Sequence, residues 1–514
     1  MAESNVIFKL GKGGLGRPLQ GFDHYSAMIG YYNETSATSA YATIGNKQYS
    51  SIQDAEADGV VNTYIENTAS SVTDTTTAGT VGDTIVANFT SYNGSVIALG
   101  TAIASTSPLL TATSIVTAIN ANTYITGFSA VVGAAGAYTV TAPKKLGIFP
   151  NGKSITYVIT GTTVVTPTTF AGGTRSWLAI FHYQISEFFR ANPLGILFFS
   201  IKFDVTSQNI TAFNTQLISD IATVSNLWAG NARRYTIGAT GRTFATSMLD
   251  ALKTASDSLY NLYVPAILSI CADNTATALS AQPNLRALND AGCSFIGAQS
   301  GSGEGYMLSK TQMQVIGSHG ACLGTSSSAA VSQSIAEVGQ FNISNGTECE
   351  TAVFLDGTDY NTIAQGLRNQ LNDYGYIYLR KFANKTGTFF NSGNCAVSPS
   401  SDYAYMRDNI TIYKAIRNVY KSILDLLNAR NYLNANGTLA ETSIQAYKAL
   451  AGYPLTQMFK DGDLSIDPAS TSTGIVVSRT EVVASTSNIP ITITLTPRGI
   501  GRSITITIGY GLTS

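Results

Sequence analysis

The sequence predicts a multidomain α/β protein. It is expected to hold a mostly parallel α/β sheet domain, a β-rich domain inserted into it, and a C-terminal α+β domain with terminal strands exchanged between subunits. Three observations predict this. Between about residues 194 and 372, apolar strand-like runs alternate with amphipathic helical segments, the pattern of a parallel sheet covered on both faces. Between 68 and 173 the composition shifts to Thr, Val, Ala, Gly and Ser and is almost free of charge. Near the end, Ile491-Thr-Ile-Thr-Leu-Thr496 and Ser503-Ile-Thr-Ile-Thr-Ile508 alternate strictly between apolar and hydroxyl-bearing residues, as half-buried strands do.

Taken in order, residues 1–20 form a glycine-rich arm. Val6-Ile-Phe-Lys-Leu10 is a short β segment whose apolar residues are Val6, Ile7, Phe8 and Leu10, and Gly11-Lys-Gly-Gly-Leu-Gly16 tethers it. The α/β domain is discontinuous, over 21–67 and 174–372, and includes a helix-like stretch at 51–57. The inserted domain, 68–173, carries short strands at 84–90, 95–99, 138–142, 154–159 and 162–165 and one helix at 112–120. Asn93-Gly94 and Asn151-Gly152 are hairpin signals. The run 194–201 is apolar throughout, as buried parallel strands are. After it come helix 212–224 (capped by Asn209 or Thr211), strand 234–238, helix 243–256 and strand 263–271. Helix 281–291, strand 294–297, helix 310–319, strand 351–355 and helix 362–372 complete the series. In the C-terminal domain, 373–514, a hairpin joins 376–382 to 388–390, and Ser401-Asp402 caps a helix from 403 to about 428. In that helix Ile412, Ile416, Val419, Ile423 and Leu426 recur at three- and four-residue steps. A second helix covers 438–451. The two terminal strands follow, joined by Pro497-Arg-Gly-Ile-Gly-Arg502, with Ile504, Ile506 and Ile508 on one face of the last. A strand with an open edge invites pairing. Strands tethered by glycine at both ends of the chain suit donation to neighbouring subunits.

Composition narrows the function. At 514 residues the chain exceeds the roughly 250–300 that one core supports. Only 12% of residues are charged, against about 25% in typical soluble domains, so little like-charge repulsion keeps copies apart. The 27 tyrosines and 21 phenylalanines supply contact area, most of it in the core and some suited to interfaces. A net charge of −1 gives no field to recruit nucleic acid or an anionic membrane. The five cysteines are far apart and lack any Cys-x-x-Cys, reading as buried free thiols of a reducing compartment. The N-terminus is polar and glycine-rich, with no apolar signal region, and no apolar run approaches the roughly 18 residues of a membrane span. The chain is expected to be made in a cytoplasm.

No catalytic constellation emerges. Gly11–Gly16 satisfies a literal G-x-G-x-x-G, but Arg17-Pro18 follows where a phosphate-facing helix is needed. His24, His182 and His319 have no metal-site spacing. A thiol scheme of Cys322, His319 and Asp290 lacks an oxyanion hole. Asp461-Gly-Asp463 with Asp467 lacks the spacing of a calcium loop, and 301–305 reads as a loop. Neither an enzyme nor a cofactor site is expected.

Tyr374-Gly-Tyr-Ile-Tyr-Leu-Arg-Lys-Phe382 is followed by Ser401-Asp-Tyr-Ala-Tyr-Met-Arg-Asp-Asn409 and Thr411-Ile-Tyr-Lys-Ala-Ile-Arg-Asn-Val-Tyr420. These segments resemble the signature of a subfamily of contractile tail sheath proteins, found in tailed bacteriophages and related contractile injection systems. The order of parts and the Thr-rich insertion are similar to that family too. The resemblance implies a tail-sheath-like fold in a helical homo-oligomer of stacked hexameric rings, enclosing an inner tail tube and meeting baseplate and tail terminator proteins. It implies assembly in the host cytoplasm into a virion tail sheath, whose contraction drives the tube through the host envelope during genome ejection. It also implies that the C-terminal domain lines the tube. The basic residues Lys414, Arg417 and Lys421 are then either a tube contact or ordinary solvated helix positions. The alternatives are the sheath of a phage-derived injection device or bacteriocin, a surface-layer or tail-tube polymer, and an intracellular hydrolase. The polymers do not need the α/β region, and the hydrolase needs a catalytic set.

Overall fold

Every residue of β1 (Ser26–Tyr32) is buried, because the strand lies inside a sheet with helices on both faces. The computed structural model describes residues 22–33, 41, 44–77, 79–205 and 209–502. The arm residues Val6, Ile7, Phe8 and Leu10 lie outside the described residues, as do Ile504, Ile506 and Ile508. After β1 come β2 (Lys47–Tyr49) and the short helix α1 (Ile52–Ala57). The N-cap Ser51 side chain accepts from the Asp54 amide, satisfying one of the orphan donors of the first turn.

Residues 71–166 fold around a core of their own. The elements are β3 (Ser71–Thr76), β4 (Thr84–Thr90), β5 (Val96–Ile103), α2 (Pro108–Ala121), β6 (Ser129–Val132), β7 (Ala137–Thr141), β8 (Thr156–Thr160) and β9 (Val165–Thr166). They make two antiparallel sheets, ordered β6-β7-β3-β9 and β5-β4-β8, over a centre that includes Phe89, Phe128 and Phe170. Helix α2 covers an edge of each sheet. The Asn120 amide group donates to Ala130 O at 2.9 Å and accepts from Ala130 N at 2.8 Å on β6. On β5, Asn122 Nδ2 donates to Leu99 O at 3.0 Å and Ser114 Oγ accepts from Ile103 N at 3.2 Å. Uncharged β edges are thereby blunted without lysine or proline. Asn93-Gly94 turns β4 into β5 with Gly94 at φ 83°. Asn151-Gly152 does not make a hairpin. Asn151 instead binds both ends of the insertion, accepting from Ser70 Oγ at 2.7 Å and Gly173 N at 3.0 Å.

The chain enters and leaves this unit at adjacent points, with Thr174 N donating to Thr68 O at 3.1 Å. Replacing residues 70–171 by a short Gly-Ser linker is therefore expected to leave the α/β sheet folded. Circular dichroism and a cooperative thermal transition check it; collapse of the remainder overturns the expectation.

The α/β body contains α3 (Trp177–Ala191), β10 (Leu197–Phe203), α4 (Ile210–Leu227), β11 (Arg234–Thr243), α5 (Ser247–Asn261), β12 (Ile267–Asp273) and β13 (Cys293–Ile296). β14 (Ala298–Ser300), α6 (Gly303–Thr311), α7 (His319–Ser328), β15 (Ala352–Phe354), α8 (Gln365–Asp373) and β16 (Tyr376–Ile377) follow. Seven strands form one sheet in the order β16-β13-β12-β11-β1-β10-β2, parallel throughout except for the antiparallel β10–β2 pair. Period-two alternation divides β1 between two cores. Ala27, Ile29 and Tyr31 join the cluster formed by α4 and α5, and Met28 and Tyr32 join that of α3. Helix α7 presses on α3 through glycine: a Cβ at Gly320 would fall 2.1 Å from Gln184 O and one at Gly324 2.4 Å from Phe188 O.

Three expected elements differ. The helix at 281–291 is instead two 3-10 turns, Leu279–Ala281 and Leu285–Leu288. Pro283 between them has no amide to donate, and Asn289 ends the second in the left-handed region at φ 61°. The stretch expected as helix 310–319 is the break between α6 and α7, with Met313 at φ 48°. The stretch 301–305, expected as a loop, starts α6, whose first amides donate to the Glu348 carboxylate from far along the chain. The hairpin at 376–390 is also divided: β16 joins the large sheet, and β17 (Leu379–Phe382) pairs with β18 (Lys385–Phe390).

The remaining elements are α9 (Met406–Ile423), α10 (Glu441–Lys460), β19 (Ile475–Val477) and β20 (Ile491–Ile493). They surround a small core of Ala415, Ala451, Leu455, Met458, Leu464 and Ile475.

Candidate assembly surface

Helix α9 joins two cores. Ile410 and Tyr413 in its first half belong to the body core, and Ala415, Val419 and Ile423 pack with α10 and the terminal strands. It begins at Met406, and Ser401-Asp402 does not cap it: Tyr405 holds the N-cap position without a side-chain cap bond. The turn before the helix is fixed from within. The buried Asn409 donates to Tyr403 O at 2.7 Å and Tyr405 O at 3.0 Å. Arg286 donates to Val397 O and Asn394 Oδ1, both at 3.0 Å, and lies over the Tyr405 ring. The helix stops at Ile423, passes through a 3-10 turn and reaches Asn428 at φ 61°, a left-handed residue that ends the run.

The basic residues of α9 sit in different surroundings. Lys414 Nζ lies 3.1 Å from Asp23 Oδ2, 2.7 Å from Asp463 Oδ2 and 3.9 Å from Asp461 Oδ2. Arg417 reaches Asp23 Oδ1 at 3.2 Å and donates to Pro265 O at 2.9 Å. Asp23 precedes β1, and its carbonyl accepts from the buried Arg234. Burial works against the Asp23 carboxylate, but Lys414 and Arg417 outweigh it and hold its pKa below the ordinary value. Burial raises Asp463 despite Lys414. Burial, with Arg233 nearby, brings Arg417 down to about 9, which leaves it a cation at neutral pH beside Asp23. Lys421 is exposed to solvent. Two of the three basic residues thus join the C-terminal helix to the root of the first strand. The partners Asp23 and Asp463 were missed in the sequence, where Asp461-Gly-Asp463 was weighed only as a calcium loop.

β19 and β20 pair antiparallel, Ile475 opposite Ile493 and Val477 opposite Ile491, and form a two-stranded sheet. Its inner residues close the C-terminal core. Among the described residues neither outer edge of this ribbon has a further strand beside it. Beyond β20 the chain turns back over the start of α9, where Arg498 O accepts from Arg407 at 2.8 Å and Arg502 sits over the Tyr405 ring.

Beside the ribbon lies a groove of about 760 Å³ whose walls include Tyr263, Tyr420, Leu424, Leu427, Val483 and Ile489. Among the described residues no charged side chain lines it, and Asn428, Asn431, Ser487 and Asn488 are its polar members. At its rim Tyr263, from the body, stacks on Tyr420 of α9, with ring centres 4.1 Å apart and planes 7° from parallel. Leu424 is 44% and Leu427 70% exposed, so the groove presents apolar surface to solvent.

The chain is similar to contractile sheath proteins. The sheath of an extracellular contractile injection system in its contracted state matches 64% of this chain and 80% of its own, at 12% identity and a TM-score of 0.42. A chain of the anti-feeding prophage baseplate covers the same shares at 11% identity and a TM-score of 0.39. The sheath tail protein of Listeria innocua matches 92% of both chains at 12% identity and a TM-score of 0.38. The family described as DUF2586, C-terminal domain, matches residues 402–514. No curated protein matches the chain.

The three residues of the thiol scheme, Cys322, His319 and Asp290, are buried. Burial brings His319 down to about 3 and pushes Cys322 up to about 12, a neutral imidazole and a protonated thiol. Asp290 is raised to about 6 by burial and by Asp250. Among the described residues no cluster of three His, Cys, Asp or Glu side chains can hold a metal ion. No helix there is long and apolar enough to cross a membrane.

Proposed function

We propose that this chain is the structural subunit of a contractile tail sheath, polymerising as stacked hexameric rings around an inner tube. Its contraction drives that tube through a host envelope. The observation that carries the reading is the β19–β20 ribbon, a two-stranded sheet whose outer edges have no further strand among the described residues, taken together with the strand-like sequence pattern of residues 6–10 and 503–508. Two strands alone are marginal, and strands added from neighbouring subunits complete the sheet through main-chain hydrogen bonds, which give strength without side-chain chemistry. In this reading Val6, Ile7, Phe8 and Leu10 reach one neighbour and Ile504, Ile506 and Ile508 another. Baseplate and terminator proteins bound the assembly, which forms in the host cytoplasm and ends as a virion tail sheath. The role is structural, and contraction is a switch between two packings of one fold.

Negative-stain microscopy of the purified protein tests it. Long hollow helical tubes support the sheath, whereas flat lattices or discrete particles overturn it. The tube contact on α9 is proposed for the solvent side that carries Lys421. Lys421→Glu is expected to weaken copolymerisation with the tube several-fold at low salt, through attraction screened over about 8–10 Å, and to leave the thermal transition of the free subunit unchanged. Equal copolymerisation by parent and variant removes Lys421 from the contact.

A further inference from the structure

Among the described residues the groove beside Tyr420 is open and uncharged, lined by large apolar side chains with Asn and Ser between them, and the described chain begins within a turn of its rim. Asp23 is held by Arg417, three residues before Tyr420. The same Arg417 holds Pro265 O, two residues after Tyr263, whose backbone is held in the left-handed region at φ 61° beneath the stacked pair. The ion cluster therefore fixes the root of the N-terminal segment beside the mouth of the groove.

Chain length then decides what can reach it. The eleven residues from Gly11 to Gly21 span up to about 36–40 Å when extended. The far wall at Leu427 is ten residues beyond Arg417, about 15 Å at helical rise. The segment ahead of the glycine tether, Val6-Ile-Phe-Lys-Leu10, puts Val6, Phe8 and Leu10 on one face when extended. That apolar face matches the Tyr, Leu, Ile and Val side chains of the walls, and Asn428, Asn431, Ser487 and Asn488 there supply polar groups for the backbone of an extended segment. Leu424 and Leu427 gain from being covered, since exposed apolar area is removed from water.

We propose that before assembly residues 6–10 of each subunit occupy the groove of that same subunit, an intramolecular contact that donation to a neighbour must displace. The proposal rests on the reading of residues 6–10 as an exchangeable arm, and it adds a resting place for that arm. Holding it in cis slows polymerisation of free subunits and leaves the open ribbon edges to be completed only where a growing end offers a better partner. The contact is a competition, because the same apolar residues serve both sites.

The test uses the full chain with Asn5→Cys and Ala429→Cys. The five native cysteines are all buried, so the introduced pair supplies the accessible thiols. A mixture of isotope-labelled and unlabelled subunits, held dilute and unpolymerised, is treated with a short bismaleimide and read by peptide mass spectrometry. The expected product joins residues 5 and 429 within one subunit, all light or all heavy. Adding Phe8→Asp is expected to cut its yield about tenfold, the cost of losing a buried aromatic anchor, with an unchanged circular dichroism spectrum. Mixed-isotope products show that the groove takes another copy's segment and overturn the proposal. So does the absence of any cross-link, or a yield that Phe8→Asp does not move. Tube formation by the untreated double-cysteine variant, scored by microscopy, reports separately on the sheath reading.

Discussion

Asp23→Ala is expected to destabilise the protein by about 3–5 kcal/mol, the range for removing one partner of a buried ion pair. The substitution leaves Lys414 and Arg417, both largely buried, facing one another without the carboxylate between them. Asp463 still pairs with Lys414 at 2.7 Å, but Arg417 loses the carboxylate partner it holds at 3.2 Å and keeps the Pro265 carbonyl. Asp463→Asn is expected to cost less, because Asp23 remains to serve both cations. Urea denaturation followed by near-ultraviolet circular dichroism measures both variants; equal midpoints for Asp23→Ala and the parent overturn the assignment. The pH dependence has a definite sign. Asp23 has a folded pKa below its unfolded value of 3.8, so its contribution is fully present above that value and is lost as pH falls through the folded one. Asp463 is shifted the other way: its folded form holds the proton more tightly, so acid relieves the cost of burying its charge. Asp23→Ala is therefore expected to flatten the fall in stability below pH 3.8, and Asp463→Asn is not.

What was legible in the sequence depended on how local its cause was. The strands at 194–201 and 263–271 were readable because a strand buried on both faces needs a run of apolar residues and little else, whereas 234–238, with Arg234 and Thr236, was readable from its place in the alternation with helices. Their ends shifted by a few residues, to Leu197–Phe203, Arg234–Thr243 and Ile267–Asp273. Asn209 was readable as a cap because the side chain that caps α4 is adjacent to the amide it serves. The start of α6 was not, since Glu348 supplies its cap from 44 residues away. The helix expected at 281–291 does not form because Pro283 has no amide to donate and lies between the two 3-10 turns that replace it. The ion cluster has the longest reach of all, with 394 residues between Asp23 and Arg417. On an amphipathic helix that carries Arg407, Asp408 and Lys421 as well, Lys414 and Arg417 looked like ordinary polar positions, and nothing in the sequence pointed to their buried partner. The groove was equally hidden, because its walls come from the loop after α5, the end of α9 and the segment before β20.

Deleting residues 1–16 or residues 499–514 is expected to abolish polymerisation while leaving a folded, soluble monomer. The cores of the described residues explain why the fold should survive. The body core, the core of residues 71–166 and the small C-terminal core are all built from residues between Ala27 and Ile493, with Leu495 packed at the margin. The C-terminal deletion also removes Arg502, which covers the Tyr405 ring and donates to Ser392 Oγ at 3.2 Å. One exposed cation over one ring is worth about 0.5–1 kcal/mol, too little to unfold a domain. In the proposed sheath, assembly differs in kind, because each missing strand would forfeit a whole ladder of hydrogen bonds in every copy of a repeating lattice. The two deletions should differ before assembly as well. The 1–16 deletion removes the segment proposed to cover the groove, so hydrogen exchange at residues 423–431 should quicken in that monomer and stay unchanged in the 499–514 deletion. Size-exclusion chromatography with circular dichroism establishes that each monomer is folded, and microscopy scores tubes. Tubes formed at the parental rate by either truncation show that the strand it removes is not exchanged between subunits, and the open edges of β19 and β20 then need another partner.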